Sequence, residues 1–337
     1  MTKEQINKLL TAGQFPEPCN PVLVETHISW VVIGDHYVYK IKKPVHYSFL
    51  DFSTLEKRKF YCEREIALNK RLTEDLYLGV QPVRLLSGGY IIGGEKGEIV
   101  DFSVEMRKID NDLQMDVMLP KNSVTKDDIR RLAEKIASFH KHTTIMYDKD
   151  LFDIQKKFND LGSEKPILIE SINRSMGAVI DRAIKVSNEF THKNISLLTN
   201  RLNNGYVRDC HGDLHTRNIF LFPNPQPFDC IEFNDDYRQI DVLNEIAFLC
   251  MDLDAAGRQD LSDLFVKFYN DLFPAMRTAE EYQLFVYYKS YRANIRAKVN
   301  SLRARSAGNE TEKTDWLRQS EGYLKLMEQY INLLNSE

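Results

Sequence analysis

The sequence predicts an α+β protein of two lobes, a small β-rich one to about residue 109 and a larger helical one over 110–337. Three observations predict it. At 337 residues the chain exceeds the usual size of a single hydrophobic core. The apolar pattern changes after Ile109, from largely strand-like alternation to helical spacing. One short β element, 216–232, interrupts the helical half and holds the densest set of polar residues.

In the first lobe, 21–33 and 36–42 are rich in Val, Ile, Tyr, Trp and Thr, and Gly34-Asp35 between them is a hairpin signal. Residues 54–72 switch to helical spacing, with Phe60, Ile66, Leu68 and Leu72 as burial candidates. Strand-like pieces follow at 81–86, 89–92 and 99–106. In the second lobe, 125–142 reads as a helix with Ile129, Leu132, Ala133, Ile136 and His140 on one stripe. Most of 165–203 and nearly all of 240–335 read as helical too.

Composition narrows the function. With 43% hydrophobic and 28% charged residues, the chain can bury a core and is not a disordered tail. A net charge of -4 supplies no global field for nucleic acid, so any phosphate recognition is local. Only 15 glycines are present and no GxxxxGK[ST] occurs, which argues against a glycine-rich phosphate loop. Gly88-Gly89 and Gly93-Gly94 with Lys96 have the wrong spacing for one. The five cysteines are scattered without a CxxC, which gives no zinc or redox signature. No apolar run approaches the roughly 20 residues of a membrane helix, and the charged N-terminal stretch does not read as a signal peptide. A cytoplasmic protein without membrane or nucleic-acid partners is expected; nothing assigns an oligomeric state.

The chemistry concentrates in Asp209-Cys210-His211-Gly212-Asp213-Leu214-His215-Thr216-Arg217-Asn218. An apolar strand over 219–222, a Pro/Asn-rich reversal at 223–227 and a return strand over 228–231 form a short hairpin. Such a hairpin brings Asn218 and Asp229 to one edge, with Asp213 a loop away. Asn and Asp oxygens suit a hard cation such as Mg²⁺, and a further carboxylate can take a proton from an attacking hydroxyl. These are the parts that phosphoryl transfer uses.

His211-Gly212-Asp213 through Asn218 resembles the HGDxxxxN catalytic loop of the aminoglycoside phosphotransferase-like branch of the protein-kinase-like superfamily. The likeness runs from about residue 24 to 300 and is most specific over 209–252. It is strongest to a kinase-like unit that bacterial proteins often fuse to a P-loop ATPase. The resemblance implies a bilobal fold binding ATP or GTP with Mg²⁺, and phosphoryl transfer to a hydroxyl of a small molecule. It implies Asp213 as catalytic base, Asn218 and Asp229 as metal ligands, Asp241 as a brace for the loop and His211 as a structural support. Strand alternation puts Val38, Lys40 and Lys42 on one face. Lys40 is preferred as the phosphate lysine, because Val38 then makes an apolar ceiling for a purine where Lys42 would place a second lysine. Its helix partner would be Glu65, and main-chain groups of Glu105 and Arg107 would meet the adenine edge.

Each element has a plainer reading. A lysine on a strand and a glutamate on a charged helix are most often solvated. His140 reads as a satisfied core histidine, His215 has no partner that spacing can name, and Cys210 and Cys230 read as small apolar packing groups. Glu232 and Asp236, with Asn234, Asp235, Asp252 and Asp254, could face a cationic acceptor or lie in solvent. Arg292, Arg296 and Arg303 share one helical face that could bind an anionic acceptor, or form salt bridges. The two features point to opposite acceptor charges. Two other functions stay open: a nucleotide-binding pseudokinase or regulator, and a protein Ser/Thr kinase, against which no APE-like element follows Asp229.

Overall fold

The structure is a computed structural model that describes residues 1–334. The chain divides into two compact units: Met1–Met118 with Arg217–Arg238, and Leu119–Thr216 with the chain from Gln239 onward. The first unit takes in 110–118 and 217–238, which the sequence reading places in the helical lobe. Packing explains this: the Leu221 amide donates to the Leu113 carbonyl at 2.8 Å, and Phe228 packs on the core cluster of Cys62, Ile66, Leu76, Tyr77 and Val104.

The first unit is built on one antiparallel sheet. Its strands are β1 (Val22–Glu25), β2 (Ser29–Ile33), β3 (Tyr37–Lys42), β4 (Tyr77–Leu86), β5 (Gly89–Ile92) and β6 (Glu98–Arg107), in the spatial order β1-β2-β3-β6-β4-β5. Gly34 closes the β2–β3 turn, its amide donating to the Tyr37 carbonyl at 2.8 Å. Helix α1 (Lys3–Ala12) starts at a capping box of Thr2 and Gln5 and buries Ile6 and Leu9 against Trp30, Val32, Tyr39, Ile41 and Tyr90. Tyr39 and Ile41 therefore face this core, and alternation sends Lys40 and Lys42 to the opposite face, toward helix α2 (Leu55–Asn69).

Helix α2 corrects one expectation. Its buried positions are Arg58, Cys62, Glu65, Ile66 and Asn69, while Phe60 is 52% exposed. Three of those five are polar, because this face meets charged groups of the sheet, and counting only apolar residues misplaces the stripe.

The second unit is helical. Helix α3 (Lys126–His142) follows a Thr125–Asp128 capping box and buries all five residues of the expected stripe. Beyond it lie α4 (Ser175–Lys193), α5 (Ile195–Asn203), α6 (Val242–Ala255), α7 (Gln259–Leu272), α8 (Ala279–Arg305) and α9 (Glu310–Leu334). The expected helix over 312–335 is α9, and residue 335 lies outside the described residues. Nearly all of the described chain from 240 onward is helical, as expected, and only its first two residues belong to a strand. Strand β7 (Val207–Asp209) pairs antiparallel with a later strand, Gln239–Asp241. The helix begins only at Val242, because the Asp241 carboxylate caps it by accepting from the Leu243 amide at 2.8 Å.

The 216–232 hairpin forms, with shorter strands than expected: β8 (Ile219–Phe220) pairs with β9 (Gln226–Pro227), and Gln239–Asp241 is then β10. The return strand ends before 228 rather than spanning 228–231, because Asp229 takes φ 61° and turns the chain out of the ladder. Among the described residues, no helix is long and apolar enough to cross a membrane.

Helix α8 is anchored by Tyr287. Its ring stacks on Phe190 at 4.6 Å, and its hydroxyl bonds Ser187 at 3.0 Å, both on α4. Tyr287→Ala is expected to lower unfolding free energy by about 3–5 kcal/mol, and Tyr287→Phe by only about 1 kcal/mol. Equal urea midpoints for the Ala variant and the wild type would show that this ring does not link the two helices.

Candidate active site

In the first unit, Lys40 stands between two carboxylates. Its Nζ donates to Glu65 Oε1 at 2.9 Å and to Asp229 Oδ1 at 2.6 Å. Lys42, next on the same face, donates to Glu65 Oε2 at 2.7 Å and to Glu232. The result is an alternating row of charges: Asp229, Lys40, Glu65, Lys42, Glu232. Only one end reaches solvent. The Asp229 side chain is 44% exposed and Lys40 15%, whereas Lys42 and Glu65 are fully buried. Of the two lysines, Lys40 therefore has the side chain that solvent reaches.

The charges are held by one another. Burial works against charge at Glu65, but Lys40 and Lys42 outweigh it and hold the carboxyl down at about 2. Burial likewise opposes the charge on Lys40, and Asp229 and Glu65 raise its pKa well above the ordinary value. At Glu232 burial wins over Lys42, and its pKa is raised.

Asp229 leaves the hairpin with its amide donating to the Tyr77 hydroxyl at 3.1 Å. One residue earlier, the Phe228 amide donates to the Asn218 carbonyl at 2.9 Å, so the two ends of the hairpin do meet. Glu105 and Arg107 behave differently from expectation. Glu105 lies inside β6 with Tyr39 opposite on one side and Gly79 on the other, and the Arg107 amide donates to the Leu76 carbonyl at 2.8 Å. Both residues thus sit within the register of the sheet, Arg107 at the end of β6.

In the second unit the loop after β7 is pinned from below by a residue the sequence reading missed. Glu245, fully buried on α6, accepts from the amides of His211 at 2.7 Å and Gly212 at 3.0 Å. Gly212 adopts φ 89°, which residues with a side chain rarely take, and its carbonyl accepts from Arg292 at 3.2 Å. The Asp213 amide donates to His211 Nδ1 at 3.2 Å, closing the His211 ring onto the loop. The brace expected at Asp241 is displaced. Asp241 caps α6 and accepts a two-pronged contact from Arg201 at 2.6 and 2.9 Å, and Glu245, one helical turn further, takes the loop amides. The signal for Glu245 was present in the sequence as the only charged residue among ten in the otherwise uncharged run 242–251.

His215 gains a partner that spacing did not name: its Nε2 lies 3.4 Å from Asp213 Oδ2. Burial pushes the Asp213 carboxyl up, but His215, with His211 and Arg296, pulls it well below the ordinary range. Thr216 ends the loop by donating its amide to Asp252 at 3.1 Å and its hydroxyl to the same oxygen at 2.5 Å. His140 is a fully buried core residue, its Nδ1 bonded to the Tyr269 hydroxyl at 2.7 Å, and Cys210 and Cys230 are fully buried.

The acceptor candidates are largely corrected. Glu232 is buried against Lys42, Asp252 is held by Thr216 and Tyr323, and Asp254 by Lys289 and Tyr330. Arg292 donates to Asn244 at 2.7 Å and to Gly212, so it supports the loop. Arg296, 5% exposed, lies over the Tyr323 ring, so the arginine face is neither solvated nor an open surface. Asp236 is exposed, with its amide bonded to Asn234.

Glu245 also titrates in a measurable window. Burial, only partly offset by Arg292 and the loop amides, pushes it up to about 7 from an ordinary 4.5. The folded chain therefore holds this proton where the unfolded chain has lost it, and stability from this group falls as pH rises from 4.5 to 7. Glu245→Gln is expected to flatten that decline, an effect on the order of 3 kcal/mol. Thermal midpoints measured across this range that decline equally in both proteins would assign the proton elsewhere.

No protein-family model matches the chain. An uncharacterized protein of Mycobacterium tuberculosis strain H37Rv and another of Mycobacterium bovis are each 31% identical to it over 288 residues, covering 83% of this chain. The chain spans about half the length of these relatives, 54%. Among solved structures, a choline/ethanolamine kinase family protein from Mesorhizobium loti superposes with TM-score 0.50 at 10% identity, covering 99% of this chain and 100% of that one. The GDP and kanamycin complex of APH(2")-IIIa superposes with TM-score 0.51 at 12% identity, covering 97% and 99%. The six-stranded antiparallel sheet of the first unit, the helical second unit and these superpositions agree: the chain shares the fold of these solved structures.

Proposed function

We propose that this protein transfers the γ-phosphoryl group of ATP or GTP, with Mg²⁺, to a hydroxyl of a small molecule. The observation that carries the reading is Lys40, partly exposed and held between Glu65 at 2.9 Å and Asp229 at 2.6 Å. Such a lysine is oriented by one carboxylate and can exchange the other for nucleotide phosphates. The fold shared with a phosphotransferase crystallised with GDP and kanamycin supports the nucleotide.

The donor set fits the cation. Asn218 and Asp229 offer an amide and a carboxylate oxygen, the hard ligands Mg²⁺ takes, and the half-exposed Asp229 carboxylate is open to solvent. Bound there, Mg²⁺ would neutralise charge on the transferring phosphates. Lys40 would grip the α- and β-phosphates, with Glu65 fixing its direction. Asp213 would orient the acceptor hydroxyl and receive its proton. Its low pKa keeps it ionised, and makes it a weak base that takes the proton late, after the oxygen–phosphorus bond has begun to form. Glu245 and Arg292 would hold the loop for that step, from its amides and its carbonyl.

A panel of metabolites and aminoglycosides, scored by mass spectrometry for the ATP- or GTP-dependent gain of one phosphate, tests the reaction and finds the acceptor. Asp213→Ala is expected to lower kcat by about 10²–10⁴-fold and leave Mg-nucleotide affinity within about twofold. Undiminished turnover by that variant would sink the assignment of Asp213.

A further inference from the structure

The row of charges in the first unit extends past the residues that the proposed chemistry uses. Glu65 divides its two oxygens, Oε1 to Lys40 and Oε2 to Lys42. A carboxylate held through one oxygen can turn about its last torsion; held through both, it is fixed. Lys42, with no exposed surface, then reaches Glu232, 3% exposed and three residues past Asp229. One lysine thus joins strand β3, helix α2 and the segment that follows β9.

The same segment is fastened to α2 and β4 at other points. The Cys230 amide donates to Asn69 Oδ1 at 2.9 Å, Arg71 reaches Cys230 Sγ at 3.4 Å, the Asp229 amide meets Tyr77, and Arg64 pairs with Asp235. Asn69 also donates to the Glu65 main-chain carbonyl at 2.8 Å, but of these contacts the Lys42 bridge is the one that grips the Glu65 carboxylate, the group that directs Lys40.

We propose that Lys42 and Glu232 are positioning residues that lock Glu65 and the Asp229–Glu232 stretch together, and so aim Lys40 at nucleotide phosphates that they do not touch. The inference rests on the nucleotide reading above. It separates this chain's device from plain stabilisation, because a buried ion pair that serves stability alone can be exchanged for two apolar groups at little cost, whereas removing one partner strands the other charge.

The double variant Lys42→Met/Glu232→Leu makes that exchange. Its thermal midpoint is expected to stay near the wild type, while the Kd for Mg-ATP or Mg-GTP by calorimetry rises about tenfold, as for residues coupled in one network. Without nucleotide, amide hydrogen exchange in α2 and over 229–235 is expected to quicken. A folded double variant with wild-type Kd and wild-type exchange overturns the inference. Should that variant not fold, Glu232→Gln, which keeps the shape and removes one anchor of Lys42, is expected to weaken nucleotide binding about threefold or more; an unchanged Kd overturns the inference equally. Lys40→Met distinguishes the two levels. If wild type and Lys40→Met bind nucleotide alike, the nucleotide reading itself falls and takes this inference with it. If Lys40→Met weakens binding and the Lys42 and Glu232 variants do not, this inference falls alone.

Discussion

One carboxylate without water around it governs the first unit. Glu65 is fully buried, and a buried charge is tolerated only when paired and hydrogen-bonded. Two lysines at alternate positions of β3 meet that demand, and with Arg58 on Asp101 and Asn69 on the Cys230 amide they tie the polar buried face of α2 to its surroundings. Tyr39 and Ile41, the residues on either side of Lys40, then face the other way into the α1 core. One face of the sheet is therefore apolar against α1, while the other mixes this ionic row with the cluster of Cys62, Ile66, Tyr77 and Val104.

The second unit answers the same electrostatic problem with different means. Glu245 is as deeply buried as Glu65, yet it is met by backbone amides and one arginine rather than by two lysines. The weaker compensation shows in its proton affinity: Glu65 stays near 2 while Glu245 rises to about 7. One carboxylate is a permanent anion that orders cations; the other is a partly protonated acceptor that orders a loop.

The fold and half of the site were legible in the sequence because their signals are local. Strand alternation put Lys40 and Lys42 on one face, and the hairpin spacing brought Asn218 and the neighbour of Asp229 together. Apolar periodicity gave the α3 stripe without error. What failed depends on long-range pairing of polar groups. The brace falls on Glu245 rather than Asp241 because Arg201, forty residues earlier, takes Asp241. Phe60 was misplaced because α2 buries charges, and Glu232, Asp252, Asp254 and Arg292 are taken up by partners 35 to 190 residues away. Short three-residue strands such as β7 and β10 carry no periodicity to read.

The backbone at Asp229 makes its own statement about that position. At φ 61° an ordinary side chain costs roughly 1–2 kcal/mol, which glycine would avoid. Asp is among the few residues with a side chain that visit this region, so the cost here is reduced but not removed. Its carboxylate meets Lys40 at 2.6 Å, a contact glycine would forfeit, so the turn exchanges some local ease for an ion pair.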